Sequence, residues 1–418
     1  MLWHLASLFG FVVTLAFSTV LPARESQDSV STSFSLAVGR REAGKRDFVR
    51  EWAAARLKWG GSIPHSNGSP FSLADQDGLI NIKPIGNDDL YLADIKIGNP
   101  PQIVKMALDT GSSDVWVQSS DTNYHVNKRG PWAPQYHPEN SHTSSLLNES
   151  RWGVQYLDGT AAYGIVYQDT IQFGNTTVEN ATVQSAQTMA TRFETDVQMS
   201  GIMGLAKSLR NNIEPPMPTF MDMLTPLLES PVFTVDLKKN ATGQFEFGHI
   251  DMSKAADNIT WLDSASKSPH WDVTLDLTSW VVPDQVWWYY QFSATIDTGT
   301  TLMFLPSPLA SRYWHSVPGM RPGTELNGAY TFPCANAKHP PDLQFKLPGT
   351  EHVLTIPGYY LNYGPADLKG EYCWGGMQSA EGMDVVVLGD MMLKALFVAF
   401  DLDKKRVGFA NKVLVNKP

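Results

Sequence analysis

The chain has 418 residues, of which 43% are hydrophobic and 18% are charged. This length exceeds what one hydrophobic core usually organises, so two packed lobes are expected, and the composition excludes a disordered, low-complexity or coiled-coil protein. The formal net charge is −10, yet residues 25–72 carry seven basic and five acidic groups, so the remainder is acidic and disfavours nucleic acid as a partner.

Residues 1–20 are predicted to be a secretory signal peptide. An apolar run extends from Leu5 to Val20, and the small residues Ala16 and Ser18 stand near its end. A signal anchor is the alternative, because few positive charges precede the run. No later apolar run is long enough to cross a bilayer, so we expect no membrane attachment after signal removal. The product is expected to be secreted, with the vacuole as the alternative destination.

Residues 21–72 form a basic segment ahead of the main body. In DFVREWAAARLKW, residues 47–59, apolar side chains recur every three to four positions, which predicts a short amphipathic helix with a basic polar side. The following GGSIPHSNGSPFS, residues 60–72, is rich in Gly, Ser and Pro and predicts an exposed loop open to cleavage.

The main body is predicted to consist of β-strands with small helices. Short runs of β-branched and aromatic residues alternate with turn residues, and long helical patterns are few. The runs are LYLADIKIG, KMALD, DVWVQ, GIVYQDTIQFG, VFTVDL, ATIDTG, VVVLGD, LFVAFD and RVGFA.

A short sequence that contains an aspartate occurs twice. ALDTGS at residues 107–112 returns as TIDTGT at residues 295–300. Two apolar residues and a glycine follow 95 residues after the first aspartate, as IMG, and 92 after the second, as VLG. Chance explains one such match but not two copies with matched flanks, so we predict two similar lobes that each present one aspartate.

Asp109 and Asp297 are the candidate catalytic residues. Two carboxylates that face each other in a cleft repel too strongly to ionise together, so one keeps its proton and the pair titrates as a unit. The ionised member can take a proton from water while the protonated member polarises a peptide carbonyl. The pair therefore predicts peptide hydrolysis at acidic pH, without a metal or an organic cofactor.

The residues around each aspartate suit this role, although a single DTG also occurs as an ordinary Asx-turn between strands. Glycines allow a close approach and donate N–H groups, threonine hydroxyls can brace one loop against the other, and the next hydroxyl can donate to a carboxylate. The expected supporting residues are Thr110, Gly111, Ser112, Thr298, Gly299 and Thr300.

LDTGSSDVW at residues 108–116 and IDTGTT at residues 296–301 resemble the two active-site signatures of the pepsin family of aspartic endopeptidases. The likeness extends from about Leu90 to Ala410. Within the family, the sequence resembles the fungal penicillopepsin and aspergillopepsin type. It implies an all-β, bilobal fold of two related β-barrel-like lobes, at residues 73–262 and 263–418, with a cleft between them and a flap hairpin. It also implies protein or peptide substrates with bulky hydrophobic residues around the scissile bond, pepstatin-type inhibitors and a monomer.

QYLDGT at residues 155–160 resembles the tip of the family's flap, which folds over the substrate. Tyr156 matches the tyrosine that hydrogen-bonds Trp116 when the flap is closed, and Asp158, Gly159 and Thr160 match residues that meet the substrate. Asp-Gly is also an ordinary hairpin turn, and tyrosine is common in strands. An acid at the position of Asp158 occurs in fungal members that accept lysine before the scissile bond, which is a hypothesis for this chain.

The basic segment resembles the family's prosegment, which blocks the cleft at neutral pH by placing a lysine between the two aspartates. Lys58 is the candidate, because an ammonium beside two carboxylates is favourable until acid protonates them. A lysine on a solvated helix face is the alternative. In this interpretation residues 21–72 are an inhibitory segment that is removed by cleavage.

The two cysteines, Cys334 and Cys373, are expected to form one disulfide, because the secretory route is oxidising. Two buried thiols are the alternative, and the resemblance implies the disulfide loop of the family's C-terminal lobe. Six glycosylation sequons also fit that route, at Asn67, Asn148, Asn175, Asn180, Asn240 and Asn258.

Two rival functions share parts of the pattern. Glycosidases also use paired carboxylates, although nothing else here points to sugar chemistry. Some pepsin-fold proteins act as inhibitors or binding modules after losing the aspartates, whereas both aspartates and both following Thr-Gly pairs are intact in this chain.

Overall fold

The computed structural model describes residues 31–40, 48–60, 91–125, 133–155, 161–194, 196–207, 211–280, 290–321, 329–367 and 369–414. Within these residues the chain is mostly β-structure, as predicted. None of the described helices is both long enough and apolar enough to span a membrane. The α-helices are α1 (Phe48–Lys58), α2 (Thr191–Glu194), α3 (Phe220–Leu224), α4 (Ser307–His315) and α5 (Asp390–Leu393).

Each of the nine predicted β-runs overlaps an observed strand. The strands of the first part of the chain are β1 (Phe34–Arg40), β2 (Tyr91–Ile97), β3 (Gln102–Asp109), β4 (Val115–Gln118), β5 (Ser145–Gln155), β6 (Ala161–Phe173), β7 (Thr176–Met189), β8 (Gly201–Gly204), β9 (Ile213–Glu214), β10 (Val232–Asp236), β11 (Gly243–Phe247) and β12 (Thr260–Asp263).

The later strands are short and mostly buried. They are β13 (Asp272–Trp280), β14 (Tyr290–Ile296), β15 (Met303–Leu305), β16 (Thr331–Pro333), β17 (Leu343–Lys346), β18 (Val353–Ile356), β19 (Asn362–Pro365), β20 (Tyr372–Gly375), β21 (Met377–Ser379), β22 (Val386–Leu388), β23 (Leu396–Asp401) and β24 (Arg406–Asn411).

The described strands form three sheets. The largest has 14 strands in the order β12-β24-β23-β10-β11-β1-β2-β3-β8-β4-β7-β6-β5-β9, and the second has seven in the order β18-β17-β13-β14-β22-β15-β21. The third is β16-β20-β19. The C-terminal strands β23 and β24 thus lie in the same sheet as the first strands of the chain, and β10 and β23 pair directly.

The repeated sequence elements form the same substructure twice. β3, which ends in Asp109, runs parallel to β8, and β14, which precedes Asp297, runs parallel to β22. In each copy the next strand, β4 or β15, pairs antiparallel with that same partner. The IMG and VLG elements found in the sequence are therefore the central strands beside the two aspartate loops.

The glycine that ends each element has a steric reason. A Cβ on Gly204 would lie 2.5 Å from the Ser112 carbonyl oxygen, and a Cβ on Gly389 would lie 2.0 Å from that of Thr300. Both distances are well below contact distance, so each aspartate loop can cross its partner strand only over a residue without a side chain.

Strand β1 lies inside the segment that precedes the main body, and the sequence analysis did not predict it. Phe34, Leu36 and Val38 are buried and alternate with side chains on the other face. β1 pairs over five residues with β11 and over two with β2. It therefore joins two strands that are not bonded to each other, as an internal member of the largest sheet.

We expect Gly389→Ala to lower the free energy of unfolding by about 3 kcal/mol, because the added methyl group meets backbone that cannot move independently. Gly349→Ala is the control, since Gly349 has φ +72° but open space around its Cβ. That change costs only the left-handed backbone conformation, about 1 kcal/mol. Urea unfolding at pH 7, followed by tryptophan fluorescence, measures both. Equal losses in the two variants would contradict the steric explanation.

Candidate active site

The two predicted aspartates lie side by side in the interior. Asp109 is the last residue of β3, and Asp297 follows β14 directly. Their exposed fractions are 3% and 0%. Their side chains hydrogen-bond to each other, so the structure brings together two carboxyl groups that lie far apart in the sequence.

The two loops are joined by a reciprocal set of hydrogen bonds. The backbone N–H of Thr110 donates to Oγ1 of Thr298, and the N–H of Thr298 donates to Oγ1 of Thr110, both at 3.0 Å. Each hydroxyl in turn donates to a carbonyl of the opposite strand, Ile296 at 2.8 Å or Leu108 at 2.6 Å. All these groups are buried, so the relative position of the two aspartates is fixed by bonds that water does not replace.

The following glycines and hydroxyl residues hold each carboxyl group in place. The N–H of Gly111 donates to Oδ1 of Asp109 at 2.9 Å, and the N–H of Gly299 donates to Oδ1 of Asp297 at 2.8 Å. Oδ2 of Asp109 accepts from the Ser112 hydroxyl at 2.6 Å. The equivalent donor to Asp297 is the Thr300 hydroxyl.

Neither glycine can be replaced without displacing the facing carboxyl group. A Cβ on Gly111 would lie 2.5 Å from Oδ1 of Asp297, and a Cβ on Gly299 would lie 2.2 Å from Oδ1 of Asp109. Each glycine faces the carboxyl group of the opposite loop, so the two glycines determine how closely Asp109 and Asp297 can approach each other.

Lys58, the last residue of α1, places its ammonium between the two carboxyl groups. Nζ lies 2.9 Å from Oδ1 of Asp109 and 3.0 Å from Oδ2 of Asp297. A further contact of 3.2 Å reaches Oδ1 of Asp297. The side chain is 18% exposed, so this ion pair is little screened by solvent.

Burial and charge pull the pKa values of these groups in opposite directions. Burial alone raises the pKa of Asp109, but the Lys58 ammonium and the hydrogen bonds outweigh it and lower that pKa to about 2. For Asp297, burial and the charge of Asp109 together raise the pKa above its ordinary value, although Lys58 opposes them. Burial lowers the pKa of Lys58, yet the two carboxylates more than compensate and raise it. Asp109 is thus the member that ionises, and Asp297 is the member that keeps a proton more readily.

Helix α1 is held by contacts along its whole length. The Phe48 ring stacks on Trp374 at 4.2 Å and meets Tyr363 edge-on at 5.0 Å. At the other end, the N–H of Asp384 donates to the Trp59 carbonyl at 3.1 Å. The helix occurs where the sequence predicts it, shorter by one residue at each end.

The basic polar side of α1 is not solvated at Arg56. This residue is only 3% exposed, and its guanidinium donates to the carbonyls of Ser379, at 3.1 Å, and Glu381. Burial lowers its pKa, while the charge of Glu381 opposes that effect. The helix is covered on this side because its partners come from a distant loop, which the periodicity of residues 47–59 cannot reveal.

The sequence analysis missed two residues at the centre. The Trp59 indole N–H donates to Oδ2 of Asp297 and Oγ1 of Thr300, both at 3.2 Å. The ring of His270 meets the Trp59 ring edge-on at 4.8 Å. Trp59 had a signal, as a large aromatic residue next to Lys58, whereas nothing in the local sequence marks His270.

The flap prediction falls partly outside the described residues. β5 and β6 form a hairpin in which Gln155 is opposite Ala161. The tip of the hairpin lies outside the described residues and contains Tyr156, Asp158, Gly159 and Thr160. Trp116 is described and buried, and it stacks with Trp152 at 6.3 Å. Its proposed hydrogen bond to Tyr156 stays a prediction.

The remaining predicted features lie away from the aspartates. Cys334 and Cys373 form a disulfide. Asn67 lies outside the described residues, and the other five sequon asparagines are exposed. They are Asn148, Asn175, Asn180, Asn240 and Asn258.

The arrangement can supply one acid and one base at the same place. A buried carboxylate and a buried carboxylic acid in hydrogen-bond contact can exchange one proton between them. With Lys58 in position, the cation occupies the outer face of the pair. Without it, the donors and acceptors of both carboxyl groups become available to a water molecule.

Comparison with known proteins gives a consistent result. A family profile described as "Eukaryotic aspartyl protease" matches residues 90–412. The chain is 35% identical to endothiapepsin of Cryphonectria parasitica over 365 residues, which cover 85% of each chain. It is 36% identical to podosporapepsin of Podospora anserina, over 80% of this chain and 77% of that one. It is 34% identical to penicillopepsin-3 of Penicillium janthinellum, over 87% and 88%.

We expect Lys58→Met to weaken the attachment of α1 in a pH-dependent way. Asp109 has a lowered pKa, so the stabilisation it gives is present above its unfolded value, about 3.9, and is lost as the pH falls toward 2. Removing the cation leaves two buried carboxyl groups unpaired at pH 7, which costs about 3 kcal/mol. The cost shrinks as the pH approaches 4, because a proton then replaces the lysine.

Hydrogen exchange of the α1 amides at pH 7 and at about pH 3.5, below the unfolded value, measures this effect. Lys254→Met is the control, because it removes an ion pair with Glu246 away from α1. An equal loss of protection at both pH values in Lys58→Met would contradict the electrostatic explanation.

Proposed function

The chain belongs to the eukaryotic aspartyl protease family and is an aspartic-type endopeptidase, and from this premise we propose that Asp109 and Asp297 are its catalytic residues. The all-β, bilobal pepsin-like fold is that of the family. The observation that carries the proposal is the hydrogen-bonded pair of buried carboxyl groups, each held by a glycine N–H and a hydroxyl. Such a pair is the minimum that peptide hydrolysis by this chemistry requires.

The opposed pKa directions suggest the role of each member. Asp109, as the carboxylate, takes a proton from a water held between the two groups, while Asp297, as the acid, donates a hydrogen bond to the peptide carbonyl. The water oxygen bonds to the carbonyl carbon, and the carbonyl oxygen receives the proton of Asp297. Asp109 then gives its proton to the amide nitrogen as the C–N bond breaks, while Asp297 takes a proton back from one hydroxyl of the intermediate, which yields an acid and an amine with no covalent enzyme intermediate.

We further propose that residues 21–72 are an inhibitory prosegment and that Lys58 and Trp59 block the site at neutral pH. Lys58 donates hydrogen bonds to both aspartates and Trp59 donates one to Asp297, which supports this role. A peptide carbonyl cannot approach while they are in place. The catalytic lobes then comprise residues 73–262 and 263–418.

The cellular context is proposed from the sequence. Residues 1–20 act as a signal peptide, and the product is secreted or, as the alternative, vacuolar. Five exposed sequon asparagines and a disulfide fit that route. Substrates are proteins or peptides with bulky hydrophobic residues around the scissile bond, pepstatin-type compounds inhibit the enzyme, and the active form is a monomer.

Replacing either aspartate is expected to abolish hydrolysis. Asp109→Asn lacks the base and Asp297→Asn lacks the acid, so each is expected to retain less than about 1% of activity, since each proton transfer contributes at least about a hundredfold. Haemoglobin hydrolysis between about pH 2.5 and 7.5, after acid incubation, measures this. The exposed Asp263→Asn is the matched control. Undiminished activity in Asp109→Asn would place the catalytic groups elsewhere.

Lys58→Ala is expected to convert to the active form at higher pH than wild type. In wild type, the attraction that holds Lys58 is complete at neutral pH and disappears only as acid protonates first Asp297 and then Asp109. Without the cation this barrier is absent, so the conversion midpoint rises by about one pH unit or more, one unit being about 1.4 kcal/mol. Gel analysis after incubation across the pH range measures conversion, with Lys254→Ala as the control. An unchanged midpoint in Lys58→Ala would remove the proposed role.

A further inference from the structure

Trp59 occupies a side-chain pocket that adjoins the two aspartates. Its indole N–H reaches Asp297 and Thr300, and its ring packs against His270. The tryptophan is only 5% exposed, so the pocket encloses it well. Because the occupant touches a catalytic carboxyl group, a substrate side chain that replaces it belongs to a residue directly beside the scissile bond.

His270 is held in a fixed position on the wall of this pocket. The next residue, Trp271, is fully buried, and its indole N–H donates to the Leu205 carbonyl at 3.1 Å. The His270 backbone N–H donates to the Ser268 hydroxyl at 3.0 Å. The backbone of Gly111, two residues after Asp109, favours protonation of the ring and so raises the pKa of His270. The imidazole thus lies beside the catalytic loop.

The second nitrogen of the ring is not used within the protein as described. Nδ1 of His270 is buried and has no hydrogen-bond partner among the described residues. A buried polar atom without a partner is costly, and such atoms are rare unless a ligand completes them. Among the described residues, the ring contact that would leave with the prosegment is the edge-on contact with Trp59 at 4.8 Å.

Three charged groups act on the imidazole. Asp272 on β13 and Asp109 on the catalytic loop favour its protonation, whereas Lys58 on α1 opposes it. Burial, the largest effect, lowers the pKa of His270 while the prosegment is bound. Departure of the prosegment removes the repulsion of Lys58 and the cover of Trp59, and both changes raise that pKa. In an acidic medium the ring is then a cation, and Nδ1 carries a proton that it can donate.

We propose that His270 determines specificity at this pocket, by donating a hydrogen bond from Nδ1 to a substrate side chain that carries an acceptor oxygen, namely glutamate or glutamine. The inference rests on the proposed function, because the pocket meets a substrate only if Asp109 and Asp297 act on peptides. It adds to the general preference for bulky apolar residues a polar side chain at one of the two positions beside the scissile bond.

The test compares peptides that differ at one position only. One series places Glu, Gln or Leu immediately before the scissile bond, and the other places them immediately after it. The value of kcat/KM is measured from pH 3.5 to 6 with the enzyme obtained by acid conversion of the full-length chain. The proteins are wild type, His270→Phe, His270→Gln and the control His339→Phe, in which an exposed histidine is replaced.

In one of the two series, His270→Phe is expected to lower the Glu-to-Leu and Gln-to-Leu ratios of kcat/KM by at least about tenfold, the value of one hydrogen bond to a charged donor. His270→Gln, which keeps an amide donor, is expected to retain the Gln-to-Leu ratio within about twofold. In wild type the Glu-to-Leu ratio is expected to be greatest between about pH 4.3 and the upper end of the range, where Glu is ionised and His is protonated.

Ratios that stay the same in His270→Phe in both series, or fall equally in His339→Phe, would overturn the inference while leaving the proposed function intact. If His270→Phe does not fold, the ratios in His270→Gln and the pH dependence in wild type decide in its place. Failure of wild type to cleave any peptide, including the Leu peptides, would overturn the proposed function and this inference with it.

Discussion

Two carboxyl groups buried against each other impose the constraint on which the rest of the molecule depends. Asp109 and Asp297 are almost completely removed from solvent, so they can hold two negative charges only beside a cation. Lys58 supplies that cation. When the lysine is absent, a proton bound to one of the two carboxyl groups removes the need for it. In the proposed function, the requirement that keeps the site closed near neutral pH is therefore the same one that provides an acid and a base after the lysine has left.

The pair exists only because two copies of one substructure complete each other. The Thr110 and Thr298 hydroxyls accept from and donate to the opposite loop, and a Cβ on either glycine would strike the opposite carboxyl group. The second glycines, Gly204 and Gly389, let each loop cross its partner strand. Neither copy can assemble the acid and base by itself, since four of the eight side-chain hydrogen bonds described at the two loops run from one copy to the other.

Local signals in the sequence predicted nine of the described strands, helix α1 and the aspartate pair, because alternation, helical spacing and a repeated motif can each be recognised within a few residues. Strand β1 was missed although Phe34, Leu36 and Val38 alternate, since its partners β2 and β11 are distant and the run lies in a basic segment. The burial of Arg56 and the contact between Trp59 and His270 were missed for the same reason. Each depends on tertiary proximity, which a single sequence does not encode in any local pattern.

The segment before the main body is attached in two ways that respond differently to acid. Lys58 is attached through charge, and that attraction fails as the carboxyl groups take up protons. β1 is attached through backbone hydrogen bonds to β11 and β2, and those groups do not titrate. Loss of β1 would leave two strand edges unpaired, which is unfavourable unless another strand replaces it. In the proposed activation, acid therefore frees the aspartates before it frees β1, and the proposed cleavage between α1 and β2 cuts the chain while the largest sheet is still intact.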